Sequence, residues 1–164
     1  MHARKLLVLT SVFALFVVAP GAAVAKRGGT DRPIHGSGTT IDTLDLATGT
    51  GSGEGPAIIS HLGKGTFSHS FTTTFTSPTT IAVSSSETFT AANGDQIFAT
   101  FTGTGTLTGL NAVVTGVATI TGGTGRFADA SGTLTGTFNA EPISQVGTTL
   151  VNRDTFTVAG RISY

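Results

Sequence analysis

The chain has 164 residues, nine basic against nine acidic, with 32 Thr, 23 Gly, 11 Phe and neither Cys nor Trp. So few basic side chains at zero formal charge leave nothing to neutralise a run of phosphates, which excludes an electrostatic nucleic-acid binder. The Phe and β-branched content equally excludes a disordered chain and, with the Thr and Gly excess, describes an all-β protein.

The N-terminus reads as an export signal. Arg4 and Lys5 supply the basic start and Leu6 to Val18 an apolar run. That run falls short of the roughly twenty residues a membrane-spanning helix needs. Ala23-Val24-Ala25 supplies the small residues a signal peptidase reads. The expectation is a signal peptide over 1–25 and a secreted product, extracellular or periplasmic, with no membrane span after cleavage. In that oxidising setting the lack of Cys means that no disulfide supports the fold, so a single core must suffice.

Residues 26–55 read as a flexible N-terminal segment. Lys26 to Gly38 shows no periodicity, Ile41, Leu44 and Leu46 mark at most a short strand, and the glycine-rich 47–55 stretch reads as a loop. A β domain is expected over 56–164, where the two-residue period is clear. Phe67, Phe71 and Phe75 share one parity, with Thr and Ser on the other. Ile81, Val83 and Phe89 share a face in the next strand. Asn93-Gly94 then signals a hairpin, because both residues tolerate the positive φ of tight turns. Gln96 to Thr108 carries Ile97, Ala99, Phe101 and Leu107 on its apolar face, Phe98 being the exception. Strands follow over Ala112 to Thr121 and Gly132 to Phe138. The last runs from about Leu150, with Phe156, Val158, Ile162 and Tyr164 alternating with polar residues.

Consecutive strands joined by short turns favour a closed antiparallel β-barrel of about eight strands, with a β-sandwich as the alternative. Glycines inside strands (Gly103, Gly105, Gly116, Gly136, Gly160) suit the crowded interior of a small barrel. Gly-Thr-Leu-Thr-Gly occurs at Gly105 to Gly109 and again at Gly132 to Gly136. No other strand repeats it, so it reflects composition rather than a solenoid.

The most distinctive segment is Gly122-Gly123-Thr124-Gly125-Arg126-Phe127-Ala128-Asp129-Ala130-Ser131-Gly132. It satisfies a loose dinucleotide fingerprint, but a strand rather than a helix follows, so nucleotide binding is rejected. The bland reading is a glycine turn and one helical turn crossing a barrel end, with Phe127 plugging the rim and Arg126 pairing with Asp129. The string resembles that of the allene oxide cyclase and dirigent barrels, and more closely that of small exported bacterial proteins with an allene-oxide-cyclase-like barrel. The resemblance implies an eight-stranded antiparallel barrel with an apolar cavity, often trimeric in the plant families. It carries no catalytic residue over to this chain.

Cofactor and metal sites are not expected, since Cys is absent and His61 and His69 lie about 26 Å apart along a straight strand. If residues 76–80 join the first two strong strands, Phe67 faces Phe89, Phe75 faces Ile81 and His69 faces Glu87. A carboxyl and an imidazole on an apolar face are a candidate acid–base pair. Thr73 and Ser85 are expected to face each other on the same side. Candidate ligand-binding residues are Phe67, Phe71, Thr73, Phe75, Val83, Ser85, Phe89 and Phe101. The favoured reading is an exported barrel that binds a small apolar or amphipathic ligand without catalysis. Its alternatives are a cofactor-free cyclase, isomerase or dirigent-like protein using Glu87 and His69, and a structural extracellular module that forms a homo-oligomer through residues such as Phe98.

Overall fold

A computed structural model describes residues 29–164; the expected signal peptide lies outside the described residues. The eight strands are β1 (Arg32–Asp45), β2 (Thr50–Ile59), β3 (Gly63–Ser77), β4 (Thr80–Ala91), β5 (Gln96–Thr108), β6 (Asn111–Gly123), β7 (Ser131–Val146) and β8 (Thr149–Ser163). Each pairs antiparallel with the next, and β8 returns to pair with β1, closing a barrel. The sandwich alternative is thereby set aside.

The strands form because their side chains alternate. Inward positions carry Ile34, Phe67, Ile81, Phe89, Phe101, Val114, Leu134, Phe138, Phe156 and Ile162, all buried. Outward positions are mostly Thr and Ser, which favour the extended backbone and hydrogen-bond to water. This apolar-in, polar-out arrangement is the reverse of a lipid-facing barrel.

Two expectations are corrected. Among the described residues, the segment expected to be flexible over 26–55 holds β1, the turn after it and the first six residues of β2, and the barrel begins at Arg32. The short strand allowed for at Ile41, Leu44 and Leu46 is the C-terminal part of the fourteen-residue β1, in which Ile41 is exposed on the outside and Asp42 turns inward. The physical reason for both lies in the interior of β2, where Gly51, Gly53 and Gly55 leave room that neighbouring strands fill. The Gly-Thr-Leu-Thr-Gly copies sit at opposite ends of the barrel, one closing β5 and the other opening β7.

The two ends differ. At one, a single 3₁₀ turn, Gly125–Phe127, drives the wholly buried Phe127 into the barrel, where its ring lies 4.7 Å from that of Tyr164. Thr124 fixes this turn by exchanging hydrogen bonds of 2.9 Å with Gln96. Arg126 does not pair with Asp129. It donates instead to the His61 carbonyl and lies 3.8 Å from Asp95, tying together three loops of the plugged end. The other end, ringed by the turns after β1, β3, β5 and β7, is open.

Candidate functional site

The open end leads into a cavity of about 490 Å³, within the range of roughly 300–1,000 Å³ usual for small-ligand sites. Its walls are apolar, built by Phe71, Val83, Phe101, Leu107, Val114 and Phe138. Leu46, Phe75 and Leu110 stand at its rim and are partly exposed, Phe75 by 65%. Its floor is polar: Asp42, His69, Asn152 and Asp154 close it from below.

Strand register brings these four together. Across the ladder from β8 to β4, Asn152 pairs with Asp42, Asp42 with Gly53, Gly53 with His69, and His69 with Glu87. Two register pairs further from the mouth, beyond the outward-facing Ile41 and Arg153, Asp154 of β8 faces Thr40 of β1. Asp42 and His69 are separated by the whole width of β2, yet Nε2 of His69 lies 2.9 Å from Oδ2 of Asp42. They meet because Gly53 has no side chain: a Cβ there would fall 1.9 Å from Oδ1 of Asp42 and 3.0 Å from Nε2 of His69. The imidazole is held in place by rings, stacking on Phe138 at 6.2 Å and touching Phe67 and Phe71 at 5.2 Å each.

The expected register between β3 and β4 is observed, with Phe67 opposite Phe89, Phe75 opposite Ile81 and His69 opposite Glu87. The expected partnership is different in detail. The His69 ring turns toward Asp42 through the gap at Gly53, while Glu87 accepts a hydrogen bond of 3.2 Å from the Ser85 hydroxyl. Thr73 faces Val83, and Ser85 faces Phe71, so Thr73 and Ser85 are diagonal neighbours rather than a facing pair. Of the candidate residues, Phe71, Thr73, Phe75, Val83, Ser85, Phe101 and His69 line the cavity. Phe67 and Phe89 are packed into the solid interior nearer the plug, where Phe67 lies against Phe156 at 4.6 Å. Glu87 is buried beside the floor without lining the cavity.

Electrostatically the floor is under strain. Burial pushes the Asp154 carboxyl up from 3.8 to about 7, and the neighbouring charge of Asp42 and a hydrogen bond to it push the same way, against the pull of His69. Burial also raises Glu87, opposed by Ser85 and His69. Oδ1 of Asp42, Asn152 and Asp154, Oγ1 of Thr40 and Nε2 of His69 are all buried without a directed hydrogen bond; the 2.9 Å approach of Nε2 to Asp42 is close but off the line of the ring N–H. Each orphaned group of this kind costs about 1–3 kcal/mol. Among the described residues, no group of three or more His, Asp or Glu is placed to hold a metal ion.

Asp42, Asn152 and Asp154 are absent from the candidate residues read from the sequence. Parity could have found two of them, because Asn152 and Asp154 continue the inward series of Phe156, Val158 and Ile162. Comparisons with family models, with curated proteins and with solved structures find no match for this chain.

Proposed function

We propose that this protein is an exported barrel that captures a small amphipathic molecule, with the apolar part in the cavity and the polar part at the floor. The observation that carries the reading is the pairing of an apolar, one-ended cavity with buried polar atoms lacking partners at its base. A merely structural barrel gains nothing from such a base, since Leu or Val at positions 42, 152 and 154 would fill the space and remove the desolvation cost. Kinship with the allene-oxide-cyclase-like barrels is part of the same proposal and rests on the Gly122 to Gly132 string.

Native mass spectrometry of protein purified from its source tests the reading. The expected result is a small molecule released when the barrel is denatured, together with calorimetrically detectable uptake of a simple amphiphile such as octanol, octylamine or octanoate. A barrel that is empty at source and takes up none of the three would overturn it.

A further inference from the structure

The floor of the cavity is unbalanced in its hydrogen-bonding chemistry. Asp42, Asn152 and Asp154 each present a buried Oδ1 with no partner, and all three residues line the cavity. They are 1%, 6% and 8% exposed. Asp42 and Asp154 come from the neighbouring strands β1 and β8 and are close enough to hydrogen-bond to one another. The nitrogens of the floor are His69 Nε2, 2.9 Å from Asp42 but off the line of its N–H, and the side-chain amide of Asn152, two neutral groups set against two carboxyls. Among the described residues, no Lys or Arg lines the cavity.

We propose that the floor binds the primary ammonium head of an amphipathic amine, held by the unpartnered oxygens of Asp42, Asn152 and Asp154 while its hydrocarbon tail lies along Phe71, Phe101 and Phe138. The inference rests on the ligand-binding reading above and specifies its ligand class. An ammonium has three donors and a positive charge for a site that has three orphaned acceptors and an excess of carboxyls. A carboxylate or carbonyl head would set acceptor against acceptor, and a hydroxyl would satisfy one oxygen at most. The aromatic walls add to the fit, since ring faces attract a cation.

Binding is then linked to protons. The titratable groups facing Asp154 are Asp42 on β1 and His69 on β3, with Glu87 on β4 one strand further round. An ammonium seated between the two aspartates favours their ionised forms, so it drives the proton off Asp154. Affinity therefore falls as the solution becomes more acidic and Asp154 is held protonated.

Calorimetric titration of the folded protein with octylamine, octanol and octanoate tests this. At about pH 8 octylamine is expected to bind at least tenfold more tightly than octanol, with octanoate the weakest. Its affinity is expected to drop by about tenfold between about pH 8 and about pH 5.5, while that of octanol stays level. Asp154→Asn is expected to collapse the advantage of octylamine over octanol, and Asp42→Asn serves as a second variant should the first not fold. Octanol or octanoate binding as tightly as octylamine to the unsubstituted protein overturns the amine inference and leaves ligand capture standing. No uptake of any of the three removes both.

Discussion

A single hydrogen atom in place of a side chain at position 53 decides whether the floor can exist. In a sheet, residues on strands two apart are ordinarily kept from touching by the side chain of the strand between them. Gly53 removes that obstacle, and Asp42 and His69 close the gap. Gly53→Ala is expected to destabilise the protein by about 1–3 kcal/mol, because its methyl must displace the Asp42 carboxylate within a packed interior. Urea denaturation measures the loss, and imidazole proton shifts in NMR report whether His69 has left Asp42. Unchanged stability with unchanged His69 shifts would contradict this account of the glycine.

At the scale of elements, the plug and the cavity occupy opposite ends and share little. Phe127 is wholly buried and packs with Tyr164, while the 3₁₀ turn carrying it is fastened by Thr124 and Arg126. Phe127→Ala is expected to cost about 3–5 kcal/mol, read as a lower denaturation midpoint, with octylamine affinity preserved as long as the barrel is folded. Loss of affinity in the folded variant would mean that the plug shapes the floor after all. Strands β3 to β8 were legible in the sequence because Phe, Ile and Val mark their inward face, and a connection read over 76–80, centred on the observed Pro78-Thr79 turn, was enough to set His69 opposite Glu87. Strands β1 and β2 were not. There the inward series carries Ile34, Ala57 and Ile59 only at the end nearer the plug, and its middle is Gly36, Gly38, Thr40, Asp42, Gly51, Gly53 and Gly55, so the alternation that identifies a half-buried strand is inverted or blank. Period alone cannot show that Asp42 faces inward, because the room for its side chain is left by Gly53 on β2 and its neighbour His69 lies on β3.

For the molecule as a whole, the buried acids make stability depend on pH in a defined direction. Asp154 holds its proton up to about 7 in the folded state, whereas its ordinary value is 3.8. Between these values the folded state binds more protons than the unfolded chain, so stability falls as the pH rises from about 4 to about 7 and stays reduced above that. Glu87, also raised by burial, acts in the same sense. Asp154→Asn removes the largest such contribution. Thermal denaturation across this range is expected to show the variant gaining on the unsubstituted protein toward about pH 8, by at most roughly 3–4 kcal/mol, with little difference near pH 4. A variant that is no more stable at about pH 8 would show that Asp154 is not under this strain.

The pairing of β1 with β8 has a consequence for how the molecule is made. Seven of the eight ladders are hairpins between sequence neighbours, but the last joins Arg32 to Ile162 and is flanked by the Arg161 to Asp31 ion pair, 130 positions apart. Until that seam zips, β1 and β8 both present bare ribbon edges on which another copy could stack. Assembly is thus a race between closure within one chain and templating between chains, and the long-range step sets its pace.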